Sequence, residues 1–197
     1  MAQGKVVLQP VSREDVERIR VWLRDDEVSS SWFGRYAYGD PAHLGYQPEE
    51  VVKASEDEWE RVFGNPEHRI LSIYTPEGEH IGEVHVAIEE ALGDGQLSIL
   101  IGRKDKWHKG LGTAAVTETL ELAFTEWGLY RIWADVPEYN EAARNIFKHM
   151  GFTHEGTLRK SRPHEGSRFD SVVMGLLAAE YTGRAEQSAD EAAATSY

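Results

Sequence analysis

The chain has 197 residues and a mass of 22.2 kDa, the usual size of one domain with a single substantial core. Its 34 acidic residues outnumber its 21 basic residues, and the formal charge of −13 argues against non-specific binding to nucleic acid or to an anionic membrane. The same charge would attract a cationic partner such as an amine, although acidity can also serve solubility alone. There is no cysteine, which excludes disulfides, thiolate metal sites and a cysteine nucleophile.

The sequence also predicts domain organisation and location. No apolar run is long enough to span a bilayer, and the chain does not open with a basic segment followed by an apolar one. We therefore expect a soluble, cytoplasmic protein with no nucleic-acid or membrane partner. One domain is predicted over residues 1–181. Residues 182–197 are rich in Ala, Glu, Ser and Asp without an apolar stripe, and they are predicted to be a disordered tail.

The first third of the chain reads as short elements separated by turns. A strand is predicted over residues 5–10, and Ser12 to Asp15 has the form of a capping box that opens a helix. Residues 25–47 are predicted to form a long aromatic loop. This loop is either a lid over a substrate or a segment folded onto the core by its own aromatic side chains. A second helix is predicted from Pro48 to Phe63.

The rest of the chain alternates strands with helices. Strands are predicted at residues 68–74, 80–88, 97–101 and 131–136, with a helix before 131–136, a helix over 141–150 and a closing hairpin over 153–177. The first three of these strands are antiparallel, because their links are too short for a crossover helix. The fourth follows a helix and is therefore parallel to the third. This pattern predicts an α/β (α+β) fold with a mixed, mostly antiparallel sheet flanked by helices.

The stretch from Gln96 to Phe124 carries most of the chemical information. It holds a buried strand, a basic loop and then Gly110-Leu111-Gly112-Thr113 at the start of a helix. Two glycines let the backbone approach a ligand closely, and the first N–H groups of a helix have no partner within it. These donors and the positive end of the helix dipole favour a phosphate group. The basic or potentially basic side chains of the loop strengthen this prediction; they are Arg103, Lys104, Lys106, His108 and Lys109.

The same glycines also satisfy the dinucleotide fingerprint G-x-G-x-x-G/A, with Asp135 as a candidate ribose-binding acid. That motif requires its first glycine directly after the strand and a sheet built from repeated parallel crossovers. Here residues 103–109 intervene, and the earlier strands are predicted to be antiparallel. A Rossmann-type dinucleotide enzyme is therefore the third interpretation. A phosphate-loop NTPase fits worse, since no glycine precedes a Lys-Ser or Lys-Thr pair.

Two motifs in this order resemble the GCN5-related N-acetyltransferases (GNAT). The pyrophosphate loop of that family appears as Trp107-His108-Lys109-Gly110-Leu111-Gly112-Thr113, and an Asn that opens a helix ending in Gly-Phe appears as Asn140 to Phe152. A third likeness lies in the closing hairpin, at Glu155-Gly156, Arg159, Gly166, Asp170 and Met174. The sequence is most similar to the branch of ribosomal-protein alanine N-acetyltransferases and spermidine N-acetyltransferase.

The resemblance implies a GNAT-like acyl-CoA N-acyltransferase fold, in which the central strand and the following parallel strand splay apart around the pantetheine arm of acetyl-CoA. The central-strand backbone would pair with the pantetheine amides, and the loop N–H groups would hold the pyrophosphate. Arg103, Lys104 and Lys109 would contact the 3′-phosphate or nothing. No metal is implied. The implied acetyl-CoA residues are Ile99, Leu100, Ile101, Trp107, His108, Lys109, Gly110, Leu111, Gly112, Thr113, Asn140, Asn145 and Phe147.

The resemblance leaves two catalytic positions vacant. Many relatives place a general-acid Tyr on the last helix and a Glu at the start of the central strand, where this chain has Phe147 and Gln96. The remaining candidates are Glu83 and His85, which are two residues apart and so share a strand face, and Ser98 on the central strand. A histidine accepts a proton near neutral pH, and a glutamate does so through water. The alternative is that these side chains are simply solvated.

We therefore expect an acetyl-CoA-dependent N-acetyltransferase that acts on a primary amine. The acceptor is either a small cation, such as a polyamine or an aminoglycoside, or a protein N-terminus, and the acidic surface favours the cation. A non-catalytic acyl-CoA-binding regulator is the alternative, because Phe147 and Gln96 stand where the acid and the base usually do. A homodimer is common in this branch, so one is expected here by analogy.

Overall fold

The computed structural model describes residues 4–33 and 46–181, with only the backbone described for residues 31–33. Residues 34–45 of the predicted aromatic loop and the predicted tail at 182–197 lie outside the described residues, so the tail and the domain boundary stay predictions. The elements in chain order are β1 (Val7–Pro10), α1 (Arg13–Trp22), α2 (Asp26–Phe33), α3 (Pro48–Val51), α4 (Glu56–Phe63), β2 (His68–Tyr74), β3 (His80–Glu89), β4 (Asp94–Ile101), α5 (Leu111–Glu121), β5 (Arg131–Pro137), α6 (Glu141–His149), β6 (Thr153–His164) and β7 (Ser167–Leu177).

The strands form one seven-stranded sheet in the order β1-β2-β3-β4-β5-β7-β6. Every neighbouring pair is antiparallel except β4 and β5, which are parallel because α5 carries the chain across between them. The predicted mixed, mostly antiparallel sheet is therefore confirmed. The predicted meander of β2, β3 and β4 is also confirmed.

Helices cover both faces of the sheet. On one face α5 and α6 contribute Val116, Leu120 and Phe147 to an apolar core with Leu97 and Ile132. On the other face α1 to α4 form a second cluster with strand residues of β2 and β4. Alternation along β4 explains the division, because residues two apart share a face, and Leu97 and Leu100 belong to different clusters.

Two helix predictions are corrected by the structure. The predicted helix from Pro48 to Phe63 is two helices, because Ser55 begins a new one: its Oγ accepts from the Glu58 N–H (3.3 Å) and its N–H donates to the Glu58 carboxylate (3.0 Å). The start of the predicted loop is also helical. There the Asp25 carboxylate accepts hydrogen bonds from the first backbone N–H groups of α2.

The two parallel strands diverge, as the resemblance implied. β4 pairs with β5 only through Asp94, Gly95 and Gln96, which lie opposite residues 131–133. Within the described sheet, residues 97–101 and 134–137 continue without pairing to each other. The C-terminal halves of the two strands are thus open to an extended ligand between them.

Candidate active site

The glycine turn has the backbone geometry of an anion-binding helix start. Gly110 precedes α5 with φ +75°, a left-handed conformation that favours glycine, and His108 also has a positive φ of +58°. No side chain caps this helix. The first N–H groups of α5 therefore lack both an intrahelical partner and a capping acceptor, and they are available to an anion.

Gly112 serves a different purpose from Gly110. A Cβ at Gly112 would lie 3.1 Å from Cδ1 of Ile146 and 3.9 Å from Cγ1 of Ile101. The glycine thus lets the first turn of α5 lie close to α6 and to the end of β4. In the same turn Leu111 is half-buried beside Ile101, whereas Thr113 is half-buried and its carbonyl accepts a hydrogen bond from the Thr117 hydroxyl.

Most of the basic loop is neutralised within the protein. Arg103 pairs with Asp105 (2.8 Å) and Glu79 (2.5 Å), and Lys104 pairs with Asp25 (2.7 Å) and Glu27 (3.0 Å). Lys106 also pairs with Glu79. Within the described residues Lys109 has no ion pair, and both His108 and Lys109 are exposed. The positive charge that remains for a phosphate is therefore smaller than the sequence indicates.

Trp107 anchors the loop to the central strand. Its indole N–H donates a 2.7 Å hydrogen bond to the Ile101 carbonyl, and its ring is half-buried against the cluster on the α1 to α4 face. That carbonyl therefore already has a partner. Of the three predicted pantetheine-pairing residues, Ile99 and Ile101 are half-buried and the Leu100 side chain is buried.

The α6 residues divide into a cap, an exposed amide and a core residue. Asn140 caps α6 as predicted, since its Oδ1 accepts from the Ala143 N–H at 3.1 Å. Asn145 is exposed. Phe147 is fully buried, with its ring edge-on to Phe152 at 4.9 Å. The Phe147 side chain thus offers no surface to a ligand and belongs to the core.

The three predicted catalytic side chains lie together on the α1 to α4 face. Glu83 and His85 of β3 lie opposite Leu100 and Ser98 of β4. Glu83 is 2% exposed, and His85 and Ser98 are each 4% exposed. The expectation of a shared face is confirmed, and the alternative of solvated side chains is wrong.

The Glu83 carboxyl is buried, and among the described residues its one hydrogen-bond donor is the Tyr46 hydroxyl, 2.7 Å from Oε2. Its Oε1 is buried without a hydrogen-bond partner among the described residues. Burial raises the pKa of Glu83 to about 8, the Tyr46 hydrogen bond acts in the opposite direction, and the charge of Asp15 adds to the rise. A carboxyl with these properties can both hold and accept a proton near neutral pH.

Three important residues escaped the sequence reasoning. The sequence identifies Asp15 only as a capping-box acid, but its side chain is buried. It does not distinguish Tyr46, which is also buried, from the other aromatic residues of the predicted loop. His68 was read only as a strand residue, but its Nδ1 lies 2.8 Å from Nε2 of His85. Two histidines on neighbouring predicted strands were a usable signal for this last contact.

Within the described ranges 4–33 and 46–181, no group of three or more His, Asp or Glu side chains is arranged to hold a metal ion. The same ranges contain no helix that is long and apolar enough to cross a membrane.

A family model for the acetyltransferase (GNAT) domain matches residues 5–153. The chain belongs to this family. Over 177 residues this acetyltransferase is 24% identical to spermidine N(1)-acetyltransferase of Escherichia coli (strain K12), covering 89% of this chain and 88% of that relative. A shorter match, 30% identical over 73 residues, is to the uncharacterized N-acetyltransferase YoaA of Bacillus subtilis (strain 168); it covers 37% of this chain and 41% of that relative.

Solved structures show the same fold. Spermidine N-acetyltransferase from Vibrio cholerae in complex with CoA and spermine gives a TM-score of 0.74 at 20% identity, covering 90% of this chain and 98% of that one. A dodecameric structure of spermidine N-acetyltransferase from Vibrio cholerae gives a TM-score of 0.73 at 20% identity, covering 91% of this chain and 98% of that one. As a member of the acetyltransferase (GNAT) family, the chain uses acetyl-CoA and acetylates an amine. The Rossmann-type interpretation is wrong, because the sheet has a single parallel pair.

Proposed function

We propose that this acetyltransferase acetylates a primary amine of a small polycation of the polyamine class, with Glu83 as the group that receives the amine proton. The observation that carries the proposal is the buried Glu83 carboxyl, whose Oε1 has no hydrogen-bond partner among the described residues. The formal charge of −13 favours a cationic acceptor. The relatives named for spermidine and the Vibrio cholerae complex with spermine support the same class.

In this proposal acetyl-CoA lies in the gap between β4 and β5. The backbone of Ile99 to Ile101 would face the pantetheine arm, and the N–H groups from His108 to Thr113 would face the pyrophosphate at the start of α5. Asn140 would contribute from the start of α6, and the exposed Asn145 is the less supported candidate. When bound, acetyl-CoA supplies an electrophilic thioester carbonyl for a neutral amine.

Glu83 would supply that neutral amine. At physiological pH an aliphatic ammonium must lose a proton before its nitrogen can act as a nucleophile. The ionised Glu83 carboxylate would accept this proton at Oε1, directly or through water, while Tyr46 holds Oε2. This role needs neither a Tyr at position 147 nor a Glu at position 96.

The test is calorimetric titration with acetyl-CoA, followed by thiol release with spermidine, spermine, an aminoglycoside and a peptide that has a free N-terminus. We expect binding, and thiol release with the polyamines. Gly110→Asp is the matched negative control, because it adds a negative charge and a Cβ at a positive φ, and it should abolish binding. Release only with the peptide would overturn the proposed acceptor, and binding without any release would indicate a non-catalytic acyl-CoA-binding regulator.

We further propose that the chain functions in the cytoplasm as a homo-oligomer. The dodecameric Vibrio cholerae structure and the absence of cysteine support this proposal. Light scattering of the full chain measures the mass in solution, and a monomer at micromolar concentration would contradict self-association. Cell fractionation tests the location.

A further inference from the structure

Two imidazole rings connect the buried side of the sheet to its edge. His85 of β3 is 4% exposed, whereas His68, the first residue of β2, is half-buried. Nε2 of His85 and Nδ1 of His68 are 2.8 Å apart, and the ring centroids are 5.1 Å apart. At this distance one nitrogen donates and the other accepts, so the two rings share a proton.

The pair lies beside the proposed base. His85 and Glu83 share one face of β3, with about 7 Å between their Cα atoms along the strand. The residues opposite His85 on the neighbouring strands are Ile70 and Ser98, neither of which titrates. Among the described residues, the buried ionisable groups near His85 on this face are Glu83 and Tyr46 and, farther along, Asp15 and His80, and the half-buried His68 completes the set.

A buried base also needs a route by which it loses its proton. Glu83 is 2% exposed, so the proton that it takes from an ammonium group has no direct path to bulk water. Glu83 must lose this proton before the next turnover. Its hydrogen-bond partner Tyr46 is itself 7% exposed. Burial and the charge of Glu83 raise the pKa of the Tyr46 hydroxyl well above its usual value, so Tyr46 is a poor exit for the proton.

We propose that His85 and His68 form a proton relay that carries the proton released by the acceptor amine from the buried active site to solvent at the start of β2. The inference rests on the proposed function. Glu83 releases its proton through water to His85, one proton crosses the hydrogen bond from His85 to His68, and one leaves His68 to bulk water. Each ring holds the same number of protons before and after, and the net change is the transfer of one proton from substrate to solvent.

The deciding variant is His68→Gln, which keeps a polar side chain but cannot pass on a proton. We expect kcat to fall several-fold in weak buffer, with the KM for the amine and the affinity for acetyl-CoA unchanged. Added imidazole should restore kcat, because a small base can replace a missing proton acceptor at the protein surface but cannot repair a packing defect. The matched control is His154→Gln on β6, an exposed imidazole outside this pair, which should change neither kcat nor its dependence on imidazole.

A second measurement does not depend on turnover. In nitrogen-15 NMR of the wild-type protein, His68 Nδ1 and His85 Nε2 should give the signals of two ring nitrogens that share one hydrogen bond, and His68→Gln should remove this pattern and shift the ring signals of His85. An unchanged kcat in weak buffer, or a loss that imidazole cannot restore, would overturn the relay. If the wild-type protein acetylates no amine, the proposed function fails and the relay fails with it. If Glu83→Gln keeps the full rate while imidazole rescues His68→Gln, only the role of Glu83 is wrong.

Discussion

Two buried carboxylates on the α1 to α4 face, those of Asp15 and Glu83, differ in the number of hydrogen bonds that they accept. Around Asp15 the carboxylate accepts hydrogen bonds from the Ser12 N–H (3.0 Å), the Ser72 hydroxyl (3.0 Å), the Tyr74 hydroxyl (2.5 Å) and Arg18 (2.7 Å). Around Glu83 the one hydrogen-bond donor among the described residues is the Tyr46 hydroxyl. Both carboxylates are almost inaccessible to water, so the number of donors distinguishes them.

The difference is visible in their protonation. Burial acts to raise the pKa of Asp15, but the hydrogen bonds from Tyr74 and Ser12 outweigh it, and the pKa is lowered. At Glu83 burial prevails, and the pKa is raised to about 8. A fully hydrogen-bonded buried carboxylate is a structural element, whereas a poorly satisfied one is costly to keep and is typical of a functional site. The first region therefore holds the fold together, and the second is available for chemistry.

The largest expected effect is that of Glu83→Gln. If Glu83 receives the amine proton, the amide should lower kcat at least about a hundredfold, because general-base catalysis typically contributes that much. Acetyl-CoA affinity by calorimetry should not change. The pH profile of kcat/KM should lose its inflection near 8. A variant with wild-type rates across this pH range would remove Glu83 from the mechanism.

Asp15→Asn should have the opposite signature, with loss of stability and retention of turnover. In the wild type the surrounding donors meet a carboxylate oxygen of Asp15, and in the variant one of these oxygens is replaced by an NH2 group that cannot accept. An unsatisfied buried polar group lowers the free energy of unfolding by about 1–3 kcal/mol. Urea unfolding should show this loss, while kcat per folded molecule stays near that of the wild type. Arg18→Lys is a milder control, since it keeps a charge beside Asp15 at a half-exposed position. A large drop in kcat without a loss of stability would contradict the division of roles.

The pH dependence of stability should separate the two regions again. The pKa of Asp15 is lowered from 3.8, and burial lowers that of His80 from 6.5 against the opposing charge of Asp15. Both groups therefore contribute stability that is lost as the pH falls through their folded pKa values. Glu83 has the reverse sign, because a pKa raised from 4.5 to about 8 gives stability that is lost as the pH rises through that window.

Thermal melts between about pH 2 and pH 9 measure both effects, because the window of Asp15 lies below pH 3.8 and that of Glu83 lies between about 4.5 and 8. Relative to wild type, Glu83→Gln should gain stability as the pH rises from about 5 to about 8, and Asp15→Asn should be least different at the acid end. Parallel curves for the wild type and Glu83→Gln would show that the carboxyl does not titrate in this window.

The sequence predicted the parts of the molecule that depend on local rules. The start of a helix at the glycine turn, the cap at Asn140 and the capping box at Ser12 all follow from residues a few positions apart, and all three are confirmed. The shared face of Glu83 and His85 follows from strand alternation and is also confirmed. The splay between β4 and β5 came from the family resemblance, since no local pattern predicts it.

The parts that sequence reasoning missed depend on contacts between distant segments. Tyr46 and Glu83 are 37 residues apart, and Asp15 and Tyr74 are 59 apart. Local pattern does not show which aromatic residue of a loop reaches a strand, or that a capping-box acid is buried under its helix. The number of donors around each carboxylate, which sets its pKa, was therefore invisible in the sequence.

The smallest expected effect, and the finest test of the comparison, comes from Tyr46→Phe. This change removes the hydroxyl that donates to Glu83 without altering the size of the ring, which packs edge-on against Phe63 with 5.1 Å between the ring centroids. Because that hydrogen bond favours the charged carboxylate, its loss should raise the pKa of Glu83 further, and the inflection in kcat/KM should move to higher pH. A pH series of thiol release measures the shift, with Tyr74→Phe as the matched loss of a hydroxyl at Asp15.

An inflection that stays in place in Tyr46→Phe would mean that Tyr46 does not set the protonation of Glu83. An inflection that moves equally in both variants would mean that the two carboxylates form one coupled network rather than two regions with separate roles.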